Sequence, residues 1–310
     1  MKRLITGAGG FIGNNLARHL KDRFPSDEIY SVGLTEGGPP GIPHLRVNLA
    51  RPDALVSFFR SYEPEEIYHL AGLSRVSDDI GIPEYFEANF LTTQALLDAL
   101  ESFQSPKRLF FSSSVHVYGN QSQVVSEDMP VHPIGPYGYT KYLAEEALRQ
   151  RVKQTPNLGV VVGRLYSCVG PGQAGGFAIP DLVMKVASLP ADNSAPLMVG
   201  PTSGYRTFLD VRDAVAIFPR LLGAIGPGGF EIVNVSSPHR LQIAEALQMI
   251  LDVAGKRPEV RTAQSPPNRF TGLSVSVEKL QRLVPQLSFR PFRQTLEDMY
   301  RWATLQNPKT

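Results

Sequence analysis

Apolar positions along the chain follow two alternating rhythms. Arg3-Leu4-Ile5-Thr6 is a short run of buried-strand type. Behind it, Ile12, Leu16, Leu20 and Phe24 recur every four residues as one stripe of a helix. The pattern then repeats. Glu28 to Leu34 alternates as a second strand, His44 to Asn48 reads as a third, and Pro52 to Arg60 as a helix. Glu66-Ile67-Tyr68-His69-Leu70 is a fourth strand, and Tyr85 to Glu101 a long helix with Phe90, Ala95 and Leu97 among its apolar positions. Arg108 to Phe111 is a strongly apolar fifth strand. A helix opens at Pro136 and continues through Leu143, Ala144, Ala147 and Leu148, and Val160 to Leu165 is a sixth strand. Phe230 to Val235 adds one more, and Ile243 to Leu251 and about Phe292 to Leu305 read as helices. Strands alternating with helices predict an α/β fold with a parallel sheet covered on both faces.

The connection between the first strand and the first helix is Gly7-Ala8-Gly9-Gly10-Phe11-Ile12-Gly13. Glycines there allow a tight turn and close approach of a pyrophosphate, and the helix start, at Phe11 and Ile12, offers unpaired N–H groups at the positive end of the helix dipole. The spacing Gly7, Gly10, Gly13 differs from the GxGxxG of long-chain dehydrogenases. In such a site an acidic residue at the end of the second strand takes the adenosine ribose hydroxyls. That place falls on Thr35, with Glu36 next. A carboxylate would repel a 2′-phosphate and threonine would not, which tilts the expectation towards NADP, whereas Glu36 swinging inwards would favour NAD.

Composition narrows the class of protein. A net charge of +2 in 310 residues argues against a dedicated nucleic-acid binder. Cys168 is the single cysteine, so there is no intramolecular disulfide and no Cys-rich metal site, and no metal is expected. Lys2-Arg3 before an apolar run has the look of a signal peptide, but the glycine cluster interrupts it too early. No stretch reaches the length of a membrane span, and the expected location is the cytoplasm.

Pro136-Tyr137-Gly138-Tyr139-Thr140-Lys141 carries the chemistry. Tyr137 and Lys141 lie one turn apart on one helix face. A free phenol ionises near pH 10, and a neighbouring ammonium, aided by cofactor charge, would lower that value towards use as acid or base. Tyr139 is the rival phenol, but position 143 is leucine. Cys168 has no evident partner base and reads as a small packed residue. His69 likewise reads as a packed strand residue rather than a ligand.

The opening Thr-Gly-x-x-Gly-x-x-Gly, the Ser112-Ser113-Ser114 run before Val117-Tyr118-Gly119, and the Tyr-x-x-x-Lys pair together resemble the short-chain dehydrogenase/reductase superfamily. Within it, length and later motifs point to the extended branch that acts on nucleotide sugars, the NAD-dependent epimerase/dehydratase family. The resemblance implies a doubly wound parallel Rossmann sheet with a smaller, discontinuous substrate lobe. Residues 1–165 and 203–236 would bind the dinucleotide, and 166–202 and 237–310 the sugar nucleotide. It makes Ser114 the catalytic hydroxyl beside Tyr137 and Lys141, with Ser113 as a neighbour on the substrate. It also assigns Asn48, with Leu49 beside it, to adenine, and Leu70-Ala71-Gly72 to the turn beside the cofactor. Asn89 would brace Lys141 through water. Sugar 4,6-dehydratases carry an Asp-Glu pair directly after the active hydroxyl. Val115 and His116 stand there, so reduction or epimerisation remains.

In the second lobe, Gly170-Pro171-Gly172-Gln173 followed by Phe177 resembles the GDP-4-keto-6-deoxy-mannose reductases, which have Phe-Asn where this chain has Tyr166-Ser167. Ser167 and Phe177 would face the substrate. Arg206, in an Arg-x-Phe-x-x-Val-x-Asp element, would hold the nucleotide diphosphate, as a guanidinium fork suits two phosphate oxygens. Arg269 is a weaker candidate for the same nucleotide. The resulting expectation is an NADP- or NAD-dependent reductase of a nucleotide-linked 4-keto-6-deoxy sugar, acting as a homodimer. The alternatives are a 4-epimerase with bound NAD and a non-catalytic dinucleotide sensor.

Overall fold

The computed structural model describes all residues except 78, 102–106, 122, 191, 193, 264–272 and 307–310. Its centre is a seven-stranded sheet. Strands β1 (Lys2–Thr6), β2 (Glu28–Gly33), β3 (His44–Arg46), β4 (Glu66–His69) and β5 (Lys107–Ser114) are joined by Leu158–Leu165 and Phe230–Val235. Across the sheet the order is Phe230–Val235, Leu158–Leu165, β5, β4, β1, β2, β3, and every pair is parallel. Strand order reverses beside β1, which opens a crevice at the carboxyl ends of β1 and β4.

Successive side chains of each strand go to opposite faces. Ile5, Tyr68, Phe110 and Val161 join a core with Leu16, Ala17 and Leu20 of α1 (Phe11–Arg23) and Val215, Phe218 and Leu221. Their neighbours Leu4, Ile67, Leu109, Phe111, Val160 and Val162 face the opposite core, with Phe59 of α2 (Pro52–Tyr62) and further helices. Phe110 and Phe218 stack at 4.1 Å between centroids. On that second face, Ile82–Tyr85 (α3) runs into a π-helical stretch, Phe86–Leu91, and then Thr92–Leu100 (α4). The next helix is Gly135–Gln154 (α5).

A separate core collects Ala178–Ala187 (α6), Leu197, Val199, Ile243–Ala254 (α8) and Phe292–Gln306 (α10). Between α6 and α8 lies Val211–Gly223 (α7), which returns to the main sheet. Helices α6 and α7, and the short α9 (Glu278–Leu283), are absent from the pattern reading of the sequence. Each of the first two carries a proline, Pro180 and Pro219. Pro180 sits in the first turn of α6, where a missing N–H costs little, whereas Pro219 is inside α7.

Two strand ends differ from expectation. β2 stops at Gly33, leaving Leu34 and Thr35 exposed in the following loop. β3 stops at Arg46, because Asn48 turns the chain by accepting the Ala50 N–H on its side-chain oxygen at 3.0 Å. The expected single helix from Tyr85 to Glu101 begins earlier and changes pitch. Thr92 and Thr93 donate to the carbonyls of Ala88 and Asn89, four residues back, at 2.6 and 2.8 Å. Such side-chain bonds go with the widened turn.

Candidate active site

The turn from Gly7 to Gly13 is tight, with backbone pressed on backbone. Gly7 has φ +71°, and a Cβ there would stand 2.7 Å from the backbone of Ala71 on β4's extension. A Cβ on Gly13 would fall 2.3 Å from the Gly7 carbonyl oxygen, so helix and turn touch backbone to backbone. α1 has no side-chain cap and no acidic residue in its first turn. Its leading N–H groups are thus available to an anion, and Phe11 and Ile12 are the residues that present them. Thr35 packs against this loop, since a Cβ on Gly9 would lie 2.7 Å from its hydroxyl. The Thr35 hydroxyl donates to the Gly37 carbonyl at 3.0 Å, and the exposed Glu36 pairs with Arg46 at 3.2 Å. Asn48 is exposed and Leu49 buried beside it.

The next wall comes from β4. Gly72 has φ +149°, and a Cβ on it would stand 2.4 Å from the Asn89 side-chain oxygen and 3.3 Å from Lys141 Nζ. Asn89 is completely buried. It accepts the Leu73 N–H at 2.9 Å and donates to Thr140 Oγ1 at 3.2 Å, so it ties the Leu70–Gly72 turn to α5. The π-helical turn supplies its inward direction. His69 is the packed strand residue expected. Its ring nitrogens meet Thr6 Oγ1 at 2.7 Å and Thr93 Oγ1 at 3.0 Å. Burial, followed by the Lys141 charge, holds it down to about 3. Among the described residues no group of three His, Cys, Asp or Glu is placed to hold a metal ion.

β5 ends at Ser114, and α5 brings Tyr137 and Lys141 onto the same crevice. Ser114 lies beside Tyr137, which is buried at 7% exposure. Tyr139, the rival phenol, is 56% exposed. The expectation that Lys141 depresses the Tyr137 pKa is not met in the protein alone. Burial raises the phenol, and the neighbouring Ser114 hydroxyl opposes that. Lys141 Nζ donates to the Ser112 carbonyl at 2.9 Å. Burial lowers Lys141 itself to about 8, with Glu145 pulling the other way.

Ser113 turns away from the crevice, and its hydroxyl donates to the buried Glu145. Nothing in that geometry favours substrate contact. Glu145 also forms a two-pronged pair with Arg164, at 3.1 and 2.7 Å. Glu145 and Arg164 escape sequence reading, although Glu145 stands one turn beyond Lys141, which is a usable signal. His116 is a second omission. Its Nδ1 lies 3.1 Å from Ser114 Oγ, and its ring meets that of Tyr137 edge-on at 5.3 Å.

The far side of the crevice comes from the second core. Strand Tyr205–Thr207 pairs antiparallel with Arg240–Gln242, and Arg206 hydrogen-bonds Tyr166 and lies close enough to His116 to lower its pKa. Arg206 is therefore brought to the catalytic candidates. Phe177 is half-buried at the start of α6, and Ser167 holds φ +31°. A left-handed φ suits asparagine better than serine. Cys168 is partly buried, and burial raises its thiol, which leaves it protonated and unreactive at neutral pH. Arg269 lies outside the described residues.

A doubly wound parallel sheet, a glycine turn with an open helix N-terminus, and a serine, tyrosine and lysine gathered at the strand ends define a nicotinamide-dinucleotide enzyme. The description "NAD dependent epimerase/dehydratase family" matches residues 3–236, and the chain belongs to that family. Among curated proteins it is 30% identical over 267 residues to the GDP-6-deoxy-D-mannose reductase of Pseudomonas aeruginosa, covering 84% of this chain and 82% of that one. It is 25% identical over 330 residues to a UDP-glucose 4-epimerase of Bacillus subtilis, covering 98% and 97%. Among solved structures it matches RMD from Pseudomonas aeruginosa complexed with NADPH, with TM-score 0.84, 25% identity, and 99% and 100% of the two chains covered. The family's cofactor is NAD or NADP, and the glycine cradle, Gly72 and Lys141 fit such a dinucleotide. No helix among the described residues is long and apolar enough to cross a membrane.

Proposed function

We propose that the chain is a reductase of a nucleotide-linked 4-keto-6-deoxy sugar, with hydride arriving at C4. The observation that carries this reading is the gathering of Ser114, Tyr137 and Lys141 in one crevice, with the His116 ring touching both Ser114 and Tyr137, and with Val115 and His116 where a dehydratase has its acid and base. The 30% identity to a GDP-6-deoxy-D-mannose reductase supports it. When bound, the dinucleotide supplies the hydride to the carbonyl carbon. Ser114 hydrogen-bonds the carbonyl oxygen and Tyr137 delivers the proton to it. Lys141, Asn89 and the Leu70–Gly72 turn hold the nicotinamide end, the loop Gly7–Gly13 the pyrophosphate, and Thr35, Asn48 and Leu49 the adenosine end. Arg206, Phe177 and Ser167 line the sugar-nucleotide side, with Arg206 on the diphosphate. With no carboxylate at Thr35, and with Arg46 beside Glu36, NADPH is the preferred cofactor. The protein works in the cytoplasm.

A 4-epimerase with bound NAD is the second reading, favoured by the near full-length match to the UDP-glucose 4-epimerase. Retention of Ser114, Tyr137 and Lys141 together speaks against a non-catalytic sensor. One experiment separates the first two. The protein is given a GDP-4-keto-6-deoxy sugar with C4-deuterated NADPH, and separately UDP- and GDP-hexoses without added cofactor. Deuterium at sugar C4, with cofactor consumed in step, supports reduction. Epimer formed without added cofactor refutes it.

We further propose a homodimer. Ile82, Phe86 and Leu91 on one helical segment, and Tyr139 and Leu143 one turn apart on α5, are exposed apolar side chains on elements that pack together. A second copy of the same strip would cover them.

A further inference from the structure

His116 is the titratable group of the crevice that the reading above leaves without a role. It follows the active serine by two residues, at the first turn of a 3₁₀ segment, Val115–Tyr118. Its backbone N–H donates to Ser114 Oγ at 3.2 Å, and its Nδ1 lies 3.1 Å from the same oxygen. The ring stands edge-on to Tyr137 at 5.3 Å. α5 is pressed onto the same residue, since a Cβ on Gly138 would come within 2.9 Å of the His116 carbonyl oxygen. Tyr137 from α5 and Arg206 from the Tyr205–Thr207 strand are the ionisable groups facing the imidazole.

A hydroxyl has one proton and two lone pairs. One lone pair of Ser114 accepts the His116 backbone N–H. On the proposed reading the one proton of Ser114 is donated to the carbonyl oxygen of the substrate. One lone pair is left for Nδ1, which must then carry a hydrogen. A neutral ring protonated on Nδ1 satisfies this, and burial together with Arg206 keeps the ring neutral, with its pKa down to about 4.

We propose that His116, as the neutral Nδ1–H tautomer, is a positioning residue that donates to Ser114 and so aims the serine proton at the substrate oxygen. Backbone N–H and imidazole N–H together fill both lone pairs, and the hydroxyl has a single direction left. Without the imidazole donor, the hydroxyl can rotate away from the reacting oxygen. The inference rests on the reading of Ser114 and Tyr137 as the catalytic pair.

Two measurements on the full chain test it. Histidine-selective ¹⁵N NMR at pH 7, with the His116 signal identified by its loss in His116→Asn, should show the proton on Nδ1. A proton on Nε2 overturns the proposal, and this measurement needs no substrate. The second is kinetic, with the keto sugar nucleotide and NADPH. Asparagine can donate from a similar position, phenylalanine cannot, and aspartate accepts only and would draw the serine proton to itself. His116→Asn should keep kcat within about threefold. His116→Phe should lose about tenfold, the scale of one net hydrogen bond, and His116→Asp more. NADPH affinity should stay within about twofold throughout, because the cofactor loop is untouched. Equal losses for Asn and Phe, or an Asp variant as active as Asn, would overturn the positioning role. If Ser114→Ala and Tyr137→Phe also retain full turnover, the failure belongs to the catalytic reading instead.

Discussion

Individual side chains in this crevice are set by burial as much as by charge. Tyr137 is the clearest instance, because burial raises its pKa and the neighbouring Ser114 hydroxyl opposes that only in part. Tyr137→Phe removes the proton while keeping the ring. Turnover should fall by about 10²–10⁴, the usual worth of a positioned acid or base, with cofactor affinity nearly unchanged. Steady-state kinetics beside a cofactor titration checks this, and comparable activity in the variant would refute the role. Lys141 gives a prediction of opposite kind. Its pKa falls to about 8 in the folded chain, against an ordinary 10.5. Between those values the unfolded chain binds more protons, so the lysine's contribution to stability becomes more favourable as pH rises from about 8 to about 10.5. The stability difference between wild type and Lys141→Met, followed by denaturant titration across that window, should shift towards wild type. A flat difference would show the ammonium to be better solvated than its burial implies.

Among the elements, α1 and α5 matter most, and both are anchored through close backbone or buried ionic contact. A methyl on Gly13 would meet the Gly7 carbonyl oxygen at 2.3 Å, and neither atom can retreat without parting helix from turn. Gly13→Ala should therefore weaken dinucleotide binding by at least about tenfold, since the N–H groups proposed to hold the pyrophosphate would be displaced. Isothermal titration with NADPH reads this directly. α5 is held by Glu145, whose carboxylate takes both Arg164 and Ser113 inside the protein, with the pair only 3% and 0% exposed. Removing one partner strands a buried charge. Glu145→Ala should cost about 3–5 kcal/mol in urea unfolding, more than a surface pair would. A loss below 1 kcal/mol would mean that water reaches Arg164 readily.

For the whole molecule, the open questions are assembly and cofactor choice. Leu143→Glu places a charge in the middle of the apolar strip shared by α5 and the Phe86–Leu91 segment, and 42% exposure of Leu143 leaves room for it in a monomer. Light scattering should show a dimer for wild type and a monomer for the variant. A monomeric wild type would remove the dimer proposal. NADPH should bind at least as well as NADH, because Thr35 carries no charge against a 2′-phosphate. A hundredfold preference for NADH, about 2.7 kcal/mol, would overturn that.

Much of this protein was legible along the chain because the signals are short-range. Strand and helix periodicity, the glycine turn of Gly7 to Gly13, and Tyr137 one turn from Lys141 all lie within a few residues of one another, where pitch and pleat dictate which side chains share a face. The lack of ligand or base partners along the chain also marked His69 and Cys168 as packed residues. What the local pattern did not carry depends on strands and helices meeting from far apart. The π-helical turn that aims Asn89 at Leu73 and Thr140 breaks the regular period, so no stripe of residues announces it. Ser113 gives its hydroxyl proton to Glu145, thirty-two residues on, once β5 and α5 pack. Lys141 reached the Ser112 carbonyl rather than the phenol for the same reason. Arg206 came beside His116 and Tyr166 only when the Tyr205–Thr207 strand returned across the crevice. Local spacing determined which chemistry the chain carries, and long-range packing decided which groups hold which, because hydrogen-bond partners in a buried site are chosen by distance in space.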